Sequence, residues 1–265
     1  MNDWKLILKE KIDISNSILI VGLPGIANVG KIVCDFLIEE LKAKKVAEFS
    51  SYNMPNSVFV NENNLIEMPK IEMFFVEIEN KNNKNNNKKE KNKILILTGD
   101  SQPVDEVSCY SFCDSVLDYF VDNKGDYIIT LGGIGLQNIP KNPKVYITGN
   151  NKEKIEEFSK NLENLRKDVY GIVGPIIGVS GLLLGLAEKR NINGICLLGE
   201  TFGHPMYVGL KSAKNILNIL EKKFALNLNM KNLDNEIKAF ESKLKIADEL
   251  IKAGKNKKED VSYIG

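Results

Sequence analysis

The chain has 265 residues, a formal net charge of +1, and 43% hydrophobic and 27% charged residues. That length supports one large domain or two small ones, with a core that needs no disulfide staples. The near-neutral balance gives no global electrostatic drive toward nucleic acid, and composition of this kind belongs to a soluble globular protein.

The first segment, "MNDWKLILKEKID", lacks a long apolar core and is not read as a secretory signal. "SILIVGLPG" reads as a buried strand ending in a turn. "NVGKIVCDFLIEELKAKK" follows as a helix, with Val29, Ile32, Val33, Phe36, Leu37 and Leu41 at helical spacing. "KVAEFSS" and "SVFVNENNLIEMP" read as short strands, and "KIEMFFVEIE" and "KILILTGD" as stronger ones. Between those two, residues 80–93 ("NKNNKNNNKKEKNK") hold almost nothing that can be buried and are expected to form a mobile hairpin tip. The tract has no interleaved aromatics, so no nucleic-acid role is assigned to it.

"DEVSCYSFCDSVLDYFVDNKG" reads as a helix with Val107, Tyr110, Cys113, Val116, Leu117 and Phe120 on its buried side. Strands "DYIITLGGIG" and "KVYITGNN" come next, then a helix, "KEKIEEFSKNLENL". The longest apolar stretch, "GIVGPIIGVSGLLLGLAEK", is broken by glycines. It is taken as buried backbone containing a glycine-opened helix rather than as a membrane span. Strand "INGICLLGET" and helix "GLKSAKNILNILEKKFA" complete the pattern. Strands alternating with helices predict an α/β fold, a three-layer α/β/α domain with a mostly parallel or mixed sheet.

From residue 229 the pattern changes. Leu233, Ile237, Phe240, Leu244, Ala247 and Ile251 recur at steps of 4, 3, 4, 3 and 4, an a/d repeat of nearly three heptads. It suits either a helix packed on its own domain or an oligomer contact. The expected organisation is therefore an α/β domain over 1–228, an amphipathic helix over 229–254 and a flexible tail over 255–265. That tail ends in Tyr263, Ile264 and Gly265, an aromatic tip on a charged linker.

The chemistry concentrates at "GLPGIANVGKI". From Gly25 it spells G-x-x-x-x-G-K and then places Ile32 where a P-loop needs a hydroxyl for Mg²⁺. Asp100, two residues beyond "ILILTG", matches a Walker-B acid only loosely. The stretch reads better as a strand–turn–helix joint whose glycines allow close packing. Ser180 in "GVSG" departs from the nucleophile elbow by one residue; the lone histidine, His204, could serve as a base with Asp100 or Glu200 as orienter, but lone Ser, His and acid residues do not make a triad. Gly25, Asn28, Gly30, Lys31, Glu200 and His204 remain as candidate anion- or pocket-lining residues at strand ends. The four cysteines, 34, 109, 113 and 196, are expected to be small buried hydrophobes in a reducing cytosol. No complete catalytic set is found, and no cofactor or metal is expected.

Five segments occur together in a recognisable order: "GLPGIANVGKIVCDFLIEEL", "ILTGDSQP", "TLGGIG", "VYITGNN" and "GPIIGVSGLLLGLAEKRNINGICLLGET". This ordered set, spanning most of residues 15–225, resembles the proteasome assembly chaperone family in its archaeal branch. The resemblance implies a fold similar to purine nucleoside phosphorylases, used without known catalysis. It further implies a cytoplasmic, ATP-independent homo-oligomer that binds proteasome α-subunits, with neither nucleic acid nor membrane as partner. Some members dock through a C-terminal hydrophobic–Tyr–any motif whose carboxylate pairs with a lysine. Here Tyr263 is third from the end, one place out of register with that motif, so Tyr263, Ile264 and Gly265 are carried over as candidate contacts. The alternative from another class is a ligase-like or phosphorylase-like enzyme that binds a nucleotide or small molecule at the glycine loops.

Overall fold

The computed structural model describes residues 4–79, 91–171 and 174–244. These belong to two units, one ending at Leu228 and the other starting at Asn229. In the second, residues 231–244 are helical. The rest of the heptad pattern and the whole 255–265 tail lie outside the described residues.

The first unit is built on a nine-stranded sheet. In chain order its elements are β1 (Lys5–Leu8), β2 (Ile18–Gly22), a 3₁₀ turn (Ile26–Asn28), α1 (Val29–Leu41) and β3 (Lys44–Ser50). A small hairpin, β4 (Phe59–Val60) and β5 (Ile66–Glu67), stands apart from the main sheet. Then come β6 (Ile71–Glu79), β7 (Lys91–Gly99), α2 (Glu106–Asp122), β8 (Tyr127–Leu136), β9 (Val145–Gly149) and α3 (Lys152–Ser159). The unit ends with β10 (Leu165–Arg166), α4 (Val179–Glu188), β11 (Asn193–Phe202) and α5 (Leu210–Phe224).

The strand order is β1-β3-β6-β7-β2-β8-β11-β9-β10. The central four, β7, β2, β8 and β11, run parallel. Antiparallel pairing of β7 with β6, β6 with β3, β3 with β1 and β11 with β9 makes the sheet mixed. Parallel strands covered on both faces read as continuous apolar runs, and the central strands obey this. Leu19–Val21, Ile94–Leu97 and Ile195–Leu197 are all fully or almost fully buried.

The two faces of β11 show the three layers. A Cβ added at Gly194 would meet Leu184 of α4, whereas one at Gly199 would meet Ser212 and Ile216 of α5. Five residues apart on a strand means opposite faces. Helices α2 and α4 pack on one side; Arg190, just past the end of α4, lies 2.9 Å from Asp114 and 3.0 Å from Asp118 of α2. Helices α1 and α5 pack on the other.

Several elements differ from expectation in detail. Lys91–Lys93 belong to β7 rather than to the polar tip. Ion pairs hold them in place, Lys91 to Glu77 at 2.7 Å and Lys93 to Asp13 at 2.6 Å; residues 80–90 lie outside the described set. The stretch "SVFVNENNLIEMP" is not one strand but the β4–β5 hairpin. Asn61 turns the chain there, its side-chain oxygen accepting from the N–H groups of Asn63 and Leu65, both at 3.0 Å. The helix "KEKIEEFSKNLENL" stops at Ser159, and its tail becomes a turn through left-handed Asn161 and the edge strand β10.

Helix α2 buries Cys113, Val116, Leu117 and Phe120 as expected but differs at its start. Its buried side carries Cys109, Phe112, Cys113, Val116, Leu117 and Phe120, while Val107 is 79% exposed and Tyr110 is exposed too. The packing of Phe112 against Trp4 and Phe49 draws Cys109 and Phe112 inward in place of Val107 and Tyr110.

All four cysteines are free and buried. Burial pushes the Cys34 thiol well up and that of Cys196 to about 11. Cys113 is also pushed up, first by its hydrogen bond with Cys109 and then by burial. Below pH 9 the Cys34, Cys113 and Cys196 thiols are protonated in folded and unfolded chains alike, and their stabilisation is fully present. Above pH 9 the unfolded chain releases protons that the folded chain retains, so stability falls as pH rises toward the folded values. Unfolding free energies from denaturant titration should drop between pH 8 and pH 10, by about 1 kcal/mol for each fully buried raised thiol. Cys196→Ala should flatten its share of the slope; an unchanged slope would contradict this account.

Candidate cleft at the strand ends

Open α/β sheets place their clefts beyond the carboxyl ends of parallel strands. A cleft of about 490 Å³ lies there, floored by Leu131–Gly135 of β8 and Leu198 of β11. One wall is Leu23–Ile26, leaving β2. The other is Gly174–Ile177, leading into α4, with Ser180 and Gln102 closing the end.

Glycines bring these parts together. A Cβ at Gly22 would lie 2.1 Å from the Gly30 carbonyl oxygen, and one at Gly30 would lie 2.6 Å from that of Leu131. Helix α1 therefore starts in backbone contact with both β2 and β8. The approach turns through Ala27 (φ 50°) and Asn28 (φ 53°), both left-handed, which lets the chain reverse in three residues.

Gln102 ties the walls together. Its amide nitrogen donates to the Pro24 carbonyl, and its side-chain oxygen accepts from Val179 N–H at 3.4 Å. Ser180 Oγ donates to the Leu131 carbonyl at 3.2 Å, so the hydroxyl is held against the β8 backbone rather than near a base. The polar groups of the cleft thus serve its own loops, and its exposed rim is apolar, with Ile26 and Ile177 on facing walls.

Of the six pocket-lining candidates, the structure brings only Gly25 and Gly30 into this cleft. Asn28 sits at the start of α1 without a side-chain cap bond. Lys31 lies 2.9 Å from Asp35 and 4.0 Å from Asp100. Asp35 is also 3.1 Å from the Thr98 hydroxyl. Two carboxylates already neutralise the lysine that a phosphate would need. Ile32 is half-buried on α1.

Glu200 faces β9 instead of the cleft. It accepts from Lys144 N–H at 2.9 Å and from the Tyr146 hydroxyl at 3.0 Å. Burial first, then this carboxylate, raises the Tyr146 pKa. His204 is exposed; its Nδ1 accepts from Met206 N–H at 3.2 Å and its ring stacks on Phe202. Glu200 and His204, four apart in sequence, are therefore held by different neighbours.

Among the described residues there is no group of three or more His, Cys, Asp or Glu side chains that could hold a metal ion. No described helix is long and apolar enough to cross a membrane. Tyr263, Ile264 and Gly265 lie outside the described residues. Gln102 and the 174–177 loop were not singled out as site residues. The signal available for them was the proline–glycine pairing in "GLPG" and "GPIIG", two loops of the kind that follow buried strands.

Comparison with known proteins places this geometry. Over 94% of the chain, and all of the matched chain, the structure resembles the Pyrococcus furiosus PbaB, an archaeal proteasome activator, with a TM-score of 0.82 and 33% identity. It resembles the Pyrococcus furiosus PbaA, an archaeal homolog of proteasome-assembly chaperone, over 97% of this chain and 96% of that one, with a TM-score of 0.73 and 25% identity. The uncharacterized protein MJ1210 of Methanocaldococcus jannaschii is 29% identical over 98% of both chains. The PAC2 family pattern matches residues 19–247, and with that span the chain belongs to the PAC2 family.

Proposed function

We propose that this protein is a cytosolic, ATP-independent proteasome-binding protein that works on the 20S α-subunits as a homo-oligomer, either in α-ring assembly or as an activator. The observation that carries this is the whole-length likeness to the archaeal proteasome activator PbaB, at 33% identity. The mechanism is multivalent: an oligomer presents several weak contacts at once, and linkage raises their effective concentration. In this mechanism the 255–265 tail supplies one contact per copy, with Tyr263, Ile264 and the Gly265 carboxylate as its tip.

The nucleotide-enzyme alternative has less support, because Lys31 is neutralised by Asp35 and Asp100 and Ile32 replaces the metal-binding hydroxyl. The test is capture of archaeal α-subunits by the full chain and by a 1–260 truncation. Capture by the full chain, reduced at least tenfold by truncation, supports both the function and the tail. Equal capture removes the tail from the mechanism. No capture by either overturns the proposal.

A further inference from the structure

Strand β8 outruns one of its neighbours. Pairing with β2 ends at Val21 opposite Thr130, whereas pairing with β11 continues to Leu136 opposite Phe202. Successive residues of a strand direct their N–H and C=O groups to opposite neighbours. The Gly203 N–H donates to the Leu136 carbonyl at 2.9 Å, so Leu136, Ile134 and Gly132 face β11. Leu131, Gly133 and Gly135 therefore face the side that β2 has left, and the Leu131 carbonyl is met there by the Ser180 hydroxyl. Among the described residues, the N–H and carbonyl groups of Gly133 and Gly135 have no hydrogen-bond partner on that side.

Both glycines line the cleft of about 490 Å³, and none of the residues around it is charged. A sheet edge with unpaired main-chain groups is a template for another strand. Gly133 and Gly135 carry no side chain that could overhang this edge. Their groups repeat about every 6.6 Å, twice the rise per residue of a strand, which the main chain of a second strand matches. The walls suit its side chains. Ile26 stands over one face of β8, where a Cβ added at Gly133 would lie 2.6 Å from the Ile26 carbonyl oxygen. Ile176 and Ile177 lead into α4 on the other face. Side chains of an added strand point alternately to the two faces, so neighbouring residues would each meet an isoleucine.

We infer that this cleft is a peptide-binding site, in which an extended segment with uncharged, apolar side chains adds as a strand beside β8 and bonds through its main chain to Gly133 and Gly135. Main-chain bonds supply the affinity, and the two isoleucine walls select the side chains. A charged side chain is disfavoured, because the cleft offers no counter-charge to offset its burial. The site is independent of the proposed α-subunit binding, and no α-subunit is needed to test it.

The test is calorimetric titration of the full chain with a pool of acetyl-Ser-Xaa-Tyr-Xaa-Ser-amide pentapeptides, Xaa being Val, Ile or Leu, with amide hydrogen exchange followed by NMR. A second pool carries N-methyl groups on its three central amides, which removes the donors of strand pairing while keeping the side chains. The chain is also compared with Ile177→Lys, which places a charge on one wall. Ile177 is 86% exposed, so the change should leave the fold intact, and circular dichroism melting checks this. The expected result is saturable binding of the first pool, at least tenfold weaker for the methylated pool and for Ile177→Lys, with exchange at the Gly133 and Gly135 amides slowed at least fivefold. No saturable binding of the first pool overturns the site. Equal binding of the methylated pool overturns strand addition in favour of simple apolar adhesion. Saturable binding with exchange at Gly133 and Gly135 unchanged puts the peptide elsewhere and overturns the assignment to β8.

Discussion

Gly22→Ala should lower stability by about 3 kcal/mol or more, the upper range for forcing atoms into a packed site. For a unit of this size that corresponds to a melting temperature lower by about 6–12 °C. The reason is local and severe. The new Cβ would sit 2.1 Å from the Gly30 carbonyl oxygen and 2.7 Å from Cys34 Sγ, and the first is a backbone atom that no rotamer change can move. Helix α1 would have to lift from β2, and the cleft wall from Leu23 to Ile26 would shift with it. Gly185→Ala is the matched control. It lies inside α4 with nothing within 4 Å of its added Cβ. There alanine should stabilise by up to about 1 kcal/mol through helix propensity. Calorimetry or denaturant titration of the two variants checks both signs. Equal melting temperatures for Gly22→Ala and wild type would remove the close-packing account of the joint.

Phe112→Ala should cost about 3–5 kcal/mol, the range for deleting a fully buried aromatic ring. Phe112 has no exposure. Its ring lies 4.8 Å from Trp4 and 5.0 Å from Phe49, both edge-on. That cluster joins α2 to the antiparallel side of the sheet, because Phe49 is on β3 and Trp4 precedes β1. Trp4 also donates its indole N–H to the Ser108 carbonyl at 3.1 Å. It is the only tryptophan of the chain, so its fluorescence reports this cluster directly. The variant should unfold at lower denaturant concentration and show a red-shifted native emission as water reaches the indole. Native emission unchanged, with the stability lost, would place the defect elsewhere.

Much of the fold was legible because central parallel strands must be apolar along their whole length. "SILIV", "ILIL" and "ICLL" have no other stable place than between two helical layers. The strand–turn–helix joint at Gly22–Ile32 was legible for a related reason, since its glycines stand where backbone meets backbone. The ordered segments also carried the family. Less was legible at the edges. The β4–β5 hairpin depends on local Asn61 side-chain bonds, and the face that α2 buries at its start depends on packing partners distant in sequence, such as Trp4 with Phe112.

The candidate residues divide the same way. Sequence by itself determined that Ile32 denies the glycine loop its metal hydroxyl, and that strand-end glycines would surround any cleft. Only the tertiary structure decided that Lys31 is neutralised by Asp35 and Asp100, that Glu200 turns to Tyr146, and that Gln102 closes the cleft. Local pattern reports what a residue must avoid, such as water or steric overlap. Which partner a charged or amide group finds is settled by strands and helices brought together across the whole chain.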